Sequence, residues 1–341
     1  MCITEVFVFV GADAVLRRGL AGTPIAGRSH REIHRRSFFM SRPDRPLDQQ
    51  VIVITGASSG IGLCTAQLAA QQGASLVLVA RSGDVLRALA EDIKAQGGHA
   101  VAAEADVADR EQLDRVALLA VGHFGRIDTW VNDAGISIYG RLDEVSEADS
   151  RRLFDTNFWG VVNGSLAALP YLKLVKGTLV NVGSEVSDAV IPLQGMYSAS
   201  KHAVKGFTDA LRVELEDVDK SGVTVTLIQP TAVDTPYPEH ARNYMDKEPK
   251  LPTPMIDPLQ VAEAILKAAV SGGRDVKVGG MAVMNTVLSK VLPSVADRMS
   301  AKQAERQQKD ESARVRDPEG ALYRAGNSGR THGMPAKEAP H

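Results

Sequence analysis

Cysteine is nearly absent. Cys2 and Cys64 are the only two in 341 residues, too few and too badly placed for a disulfide framework or a thiolate metal site, which points to a reducing, cytoplasmic setting. No run of eighteen apolar residues occurs, so no segment is expected to span a bilayer. Neither sign of charge dominates: 39 Lys and Arg against 41 Asp and Glu leave a formal charge of −2, which gives no reason to expect a nucleic-acid or membrane-surface partner. His99, His123, His202 and His240 show no metal-ligand spacing. What is present, 44% hydrophobic and 23% charged residues, is the composition of a globular protein with one large core or two modest ones.

The two ends differ from the middle. Residues 1–48 carry an apolar patch, Val6 to Val10, followed by an arginine-rich stretch that includes Arg17, Arg18, Arg28, Arg31, Arg35 and Arg36. That order is the reverse of a secretory signal. Arg35-Arg36 resembles a twin-arginine export signal, but Met40-Ser41-Arg42-Pro43-Asp44 stands where an apolar region is required. The extension is expected to be disordered or untranslated, with Met40 as the natural start. At the other end, residues 281–299 are apolar at helical spacing. Residues 300–341 are polar with both signs of charge and read as a disordered tail.

Between the ends, in a domain placed at 49–280, apolar runs of strand length alternate with helical patterns. Strands are expected at 51–55, 75–80, 100–104, 127–132, 178–182, 223–229 and 275–278, with helices up to 72 and at 84–96, 110–124, 147–172, 197–218 and 258–270. Such alternation predicts an α/β fold with a Rossmann-like, doubly wound, seven-stranded parallel sheet.

Two features carry chemistry. Tyr197 and Lys201 are four apart in a helical pattern, so they share a face. An ammonium roughly 5 Å from a phenol, at an effective dielectric of about 20, favours the phenolate by about 3 kcal/mol, or roughly two pKa units. Tyr197 would then serve as general acid or base, with Ser184 at a strand end, where open α/β sheets bind ligands. The second feature is Thr55-Gly56-Ala57-Ser58-Ser59-Gly60-Ile61-Gly62, which follows a strand and opens a helix. Its glycines allow a tight turn, approach of backbone to a pyrophosphate and close helix-to-strand packing, and the helix N-terminus offers N–H groups to phosphates.

From about Gln50 to Gly280 the chain resembles the short-chain dehydrogenase/reductase family. The resemblance rests on the glycine turn, Asp106-Val107, Asn132-Asp133-Ala134-Gly135, Asn157, Ser184, Tyr197, Lys201 and Pro230 in order. It implies that Tyr197 exchanges a proton with the substrate oxygen, Lys201 lowers the tyrosine pKa and holds the nicotinamide ribose, Ser184 orients the carbonyl, and Asn157 holds a water in a proton relay. The cofactor would meet Thr55, Gly56, Ser58, Ser59, Gly60, Ile61 and Gly62, then Asp106 and Val107 near the adenine, Asn132, Ala134 and Gly135 on the ribose side, and Pro230, Val233 and Thr235 at the carboxamide. NAD-preferring members place an acid at the end of the second strand; here Ala80 stands there and Arg81 follows, where a guanidinium grips a 2′-phosphate. NADP(H) is therefore expected, with NAD(H) as the alternative. Two departures stand out: Asp133 in place of a frequent asparagine, expected to alter a strand-bracing contact, and Thr231 where a glycine is usual.

The implied activity is interconversion of a ketone or aldehyde with an alcohol. The pocket would be shaped by Val186, Val190, Ile191 and Gln194 and by a proline-rich insertion, Pro236 to Pro258, carrying Tyr237, Tyr244 and Met245, and would suit an apolar small molecule. By resemblance, the helices from Glu147 and Tyr197 would form the interface of a homodimer or homotetramer, with Phe158 and Trp159 as anchors. A cofactor-binding regulator without turnover, or an interaction protein working through its tail, are readings from other classes.

Overall fold

The computed structural model describes residues 45–307, 317–326 and 329–333. The expectations for residues 1–44, including Met40 as the start, lie outside the described residues. Seven strands form one parallel sheet: β1 Val51–Thr55, β2 Ser75–Ala80, β3 His99–Glu104, β4 Thr129–Asn132, β5 Thr178–Val182, β6 Thr224–Pro230 and β7 Asp275–Val278. Their order is β3-β2-β1-β4-β5-β6-β7. The direction of winding therefore reverses between β1 and β4, and the crevice at a reversal point, beyond the carboxyl ends of the strands, is where such sheets bind ligands. Register brings the ends level there, with Thr55 opposite Asn132 and Asn132 opposite Asn181.

Strand periodicity decides which face each side chain takes. Ile52 and Ile54 point into one core with Leu63, Leu86, Ile93, Val261 and Ile265. Val53 points into the other with Leu113, Trp130, Leu172, Leu179 and Leu211. Helices α1 Gly60–Gln71, α2 Gly83–Ala95 and α7 Pro258–Ser271 cover the first face. Helices α3 Arg110–Phe124, α5 Gly160–Val175 and α6 Gly195–Arg212 cover the second. Polar caps set several starts: Asp109 accepts from the Gln112 N–H, Ser146 from the Asp149 N–H at the head of α4 Glu147–Phe154, and Asp257 from the Leu259 N–H with Pro258 next. The expected long helix from Glu147 runs α4 into α5 through a π-helical turn, Asp155–Trp159. Turns of that kind recur at functional sites.

Three regions differ from the sequence reading. The apolar segment after residue 280 is two helices, α8 Gly280–Val291 and α9 Pro293–Ala301, because Pro293 cannot continue a helix already under way. The proline-rich insertion contains one helical turn, Tyr237–His240, and a two-residue strand, Arg242–Asn243, paired in parallel with Ile138–Tyr139. The tail after residue 300, expected to be disordered, is docked in its described parts. Ala321 and Leu322 are buried against Ile136, Ile138 and Leu153. Two apolar residues in a polar stretch leave no periodicity for sequence reading to detect, yet suffice to anchor it.

Candidate active site

Beyond the carboxyl ends of β1, β4, β5 and β6 lies a cavity of about 250 Å³. Its floor is the turn from β1 into α1. Gly56 takes a φ of +75°, and a Cβ on it would lie 2.9 Å from the Ala134 backbone. A Cβ on Gly62 would lie 2.4 Å from the Gly56 carbonyl oxygen, so only glycine lets α1 start this close to the strand. Gly56, Ser58, Ser59, Gly60 and Ile61 line the cavity, whereas Gly62 packs beneath it. Thr55 also sits below, its hydroxyl accepting the Asp133 and Ala134 N–H groups and tying β1 to the loop after β4.

At the opposite end stand Ser184, Tyr197 and Lys201, all lining the cavity. Ser184 lies two residues beyond the end of β5, capping a short helical turn, and Tyr197 lies in the first turn of α6. The Tyr197 hydroxyl lies near those of Ser184 and Tyr237, whose ring is 5.5 Å from its own, centre to centre. Lys201 Nζ lies 5.7 Å from the Tyr197 ring centre and donates to the Val182 carbonyl at 2.8 Å. The sequence led to the expectation of a lowered phenol pKa. Burial instead pushes Tyr197 up to about 12, although the Ser184 and Tyr237 hydroxyls pull it down. Burial likewise drives Lys201 down to about 8, against the attraction of Asp133. The two groups are placed as the spacing implied, but desolvation outweighs their mutual effect.

Asn157 lies in the π-helical turn and is wholly buried. Its amide accepts from the Ile136 N–H at 2.8 Å and donates to the Ile136 carbonyl and to Ser200 Oγ. Only Gly135 separates it from the lysine: a Cβ there would be 3.6 Å from Asn157 Oδ1 and 3.8 Å from Lys201 Nζ.

Asn132 is not where the resemblance put it. Its side chain faces away from the cavity, accepting from Trp130 Nε1 at 2.8 Å and donating to Ser165 Oγ and Asn181 Oδ1. It is the brace joining β4, β5 and α5, a role the sequence reading had connected with Asp133. That neighbour takes the site position: its carboxylate lines the cavity, bonded to the Gly62 N–H and near Lys201. Burial raises it to about 7, with Lys201 and the Gly62 N–H pulling the other way. Strand alternation explains the exchange, since neighbouring residues leave a strand on opposite faces.

The adenosine-side candidates also converge. Arg81, Asp106 and Val107 line the cavity. Asp106 is ion-paired with Arg152 and accepts from the Ala108 N–H. Pro230, Val233 and Thr235 line it from the β6 side. Thr231, in the expected glycine's place, needs no left-handed φ; it packs its methyl where a Cβ on Gly279 would fall.

Some polar residues emerge only in three dimensions. Gln194 and Tyr237, read as pocket shapers, belong to a hydrogen-bonded chain. Tyr237 Oη and Ser137 Oγ both donate to Gln194 Oε1 at 3.0 Å, and Gln194 Nε2 donates to Gln307 Oε1 at 2.7 Å. Glu185, next to Ser184, also lines the cavity and is raised by burial despite its bond from Asn285. The glycine turn at one end of the cavity and the hydroxyl–phenol–ammonium set at the other suit a nicotinamide dinucleotide beside a carbonyl or alcohol. Among the described residues no cluster of His, Cys, Asp and Glu is suited to hold a metal, and no helix is long and apolar enough to cross a membrane.

Comparison with known proteins agrees with this geometry. The short chain dehydrogenase family model matches residues 50–245, and the chain belongs to that family. It is an NAD(P)-dependent oxidoreductase acting on a small molecule. It is 44% identical over 285 residues to the uncharacterized oxidoreductase YxnA of Bacillus subtilis, covering 83% of this chain and 80% of that one. It is 35% identical over 232 residues to an 11-beta-hydroxysteroid dehydrogenase A of Sesamum indicum, covering 66% and 67%. Among solved structures it resembles an alcohol dehydrogenase from the archaeon Thermococcus sibiricus complexed with 5-hydroxy-NADP. That match has a TM-score of 0.58 and 28% identity, over 67% of this chain and 94% of that one.

Proposed function

We propose that the protein is an NADP(H)-dependent oxidoreductase interconverting a ketone or aldehyde with an alcohol on an apolar small molecule. The observation that carries the reading is the arrangement of one cavity, with Ser184, Tyr197 and Lys201 at one end and Arg81 at the other. The dinucleotide, when bound, supplies or accepts the hydride. Tyr197 gives its proton to the carbonyl oxygen in reduction and takes it from the alcohol in oxidation. Ser184, beside Tyr197, orients that oxygen. Lys201 and Asn157, separated by the gap that Gly135 leaves open, hold the inner end of the proton path.

Arg81 is the basis for preferring the 2′-phosphate. It is half-buried, and among the described residues no carboxylate lies within ion-pair distance of it; Asp106 attracts it from further away but is itself ion-paired with Arg152, so a phosphate would meet a cation without a direct partner. Support for an apolar substrate comes from Val186, Ile191, Val233 and Leu251 in the lining, and the NADP-derived ligand of the archaeal neighbour supports the cofactor. Helices α3 and α5 and the π-helical turn before α5 expose Leu118, Leu119, Trp159, Leu166 and Leu174, which favours a homodimer or homotetramer built on these elements.

The test is consumption of NADPH and NADH over aldehydes and ketones graded by size, with Tyr197→Phe alongside. We expect turnover with NADPH that falls by about 10²- to 10⁴-fold in the variant, the usual range for a lost general acid. Turnover untouched by the substitution overturns the role of Tyr197, and a wild type that works better with NADH overturns the cofactor preference.

A further inference from the structure

The C-terminal segment, in its described residues 317–326 and 329–333, lies along the adenosine end of the cavity and adds a wall that the family-matched region, ending at residue 245, does not contain. Its contacts are numerous and specific. The Arg81 guanidinium donates to the carbonyls of Ala321 and Leu322, and Arg152 Nε donates to Leu322 as well. Ser82 Oγ donates to the Gly326 carbonyl at 2.7 Å, and the Gly60 N–H to that of Arg330 at 2.9 Å. Ala321, Ala325 and Gly326 line the cavity itself. The segment is anchored away from it: Leu322 is buried, Tyr323 Oη donates to Asp149 at 2.7 Å, and the Ala321 N–H donates to the His240 carbonyl at 2.7 Å. Asn243 N–H and Arg242 both donate to the Pro318 carbonyl.

From this geometry we propose that the C-terminal segment is a positioning element for the cofactor's 2′-phosphate, holding Arg81 through two neutral carbonyls and thereby setting the preference for NADP(H). This deepens the proposed function and rests on it. A long arginine held by carboxylates has its charge spent, and a solvated one pays side-chain entropy when it grips an anion. Carbonyls fix the guanidinium without neutralising it, and its remaining N–H groups stay available for paired bonds to phosphate. The charged neighbours divide: Asp106 attracts Arg81 but is ion-paired with Arg152, which repels it, and His240 borders the same wall with its proton disfavoured by burial. Removing the segment frees Arg81 to turn outward, which weakens binding of a 2′-phosphate far more than of a 2′-hydroxyl.

Gly320 provides a test that leaves the cavity residues in place. It has a φ of +56°, and a Cβ there would lie 2.5 Å from the His240 and Ala241 carbonyl oxygens, so Gly320→Val undocks the segment. The experiment measures KM and kcat for NADPH and NADH, and inhibition by adenosine 2′-monophosphate, in the full chain, in Gly320→Val and in a chain ended at Gln307. Thermal melting checks that each folds. We expect the NADPH KM and the 2′-monophosphate inhibition constant to rise roughly tenfold in a folded variant, with the NADH KM moving by less than about twofold. NADPH and NADH weakening together, or neither changing, overturns the positioning role. A wild type that does not prefer NADPH removes the cofactor reading, and this inference with it.

Discussion

Asp133 shows how one residue can reverse an expectation. Its carboxyl is buried between the Gly62 N–H and Lys201, and burial raises it to about 7 from an ordinary 3.8. A folded-state pKa above the unfolded one means the folded protein holds the proton more tightly. The stabilisation is therefore complete below about pH 4 and is lost as pH rises through about 7. Asp133→Asn removes that titration while keeping a hydrogen-bonding group of the same shape. Melting temperatures across pH 4 to 8 are expected to show the variant gaining on the wild type as pH rises, whatever acid unfolding the two share. A difference that stays flat with pH would mean that Asp133 is not held in its protonated form. The same position also bears on Tyr197, because the Asp133 and Glu185 charges both raise that phenol while the Ser184 and Tyr237 hydroxyls lower it.

Among elements, the join between β4, β5 and α5 is where the site gains its rigidity. Asn132 holds all three, and its neighbours are themselves satisfied: Asn181 Nδ2 donates to Thr208 on α6, and Ser165 Oγ to the Val161 carbonyl. This network lies directly under the loop bearing Asp133, Ala134 and Gly135. Asn132→Ala leaves Trp130 Nε1 and Asn181 Oδ1 buried without the partners they have now, each worth about 1–3 kcal/mol. Chemical denaturation is expected to show a loss of about 3 kcal/mol. Turnover of the fraction that stays folded should persist, since Asn132 faces away from the cavity. A variant as stable as wild type but unable to bind dinucleotide would restore Asn132 to the cofactor site. The π-helical turn serves a comparable purpose one element along, carrying Asn157 to Ile136 and Ser200 while α4 and α5 continue on either side.

For the whole molecule, the exposed apolar residues are unevenly distributed. Trp159 is 51% exposed and Leu174 82%, and α3 and α5 also expose Leu118, Leu119 and Leu166. A proposed interface through these helices predicts that Trp159→Glu shifts the protein to a smaller species in sedimentation, since a buried unpaired carboxylate is costly. An unchanged sedimentation coefficient, for a wild type larger than a monomer, would place the interface elsewhere.

Much of this protein was legible locally. Period-two and period-3.6 patterns identify the alternating strands and helices, the glycine spacing identifies the turn into α1, and four-residue spacing aligns Tyr197 with Lys201, because each depends only on neighbours along the chain. The reversal of strand order then assigns the crevice. Tertiary structure alone decided the rest, where the outcome depends on segments far apart in sequence. Desolvation, not the Lys201 charge, dominates Tyr197. Tyr237, forty residues on, reaches the same hydroxyl, and Asp133 exchanges roles with Asn132 across the end of a strand. The C-terminal segment packs against Arg81 through carbonyl oxygens, which every residue carries. No side-chain pattern records where a backbone acceptor will lie, so only the folded chain shows that contact.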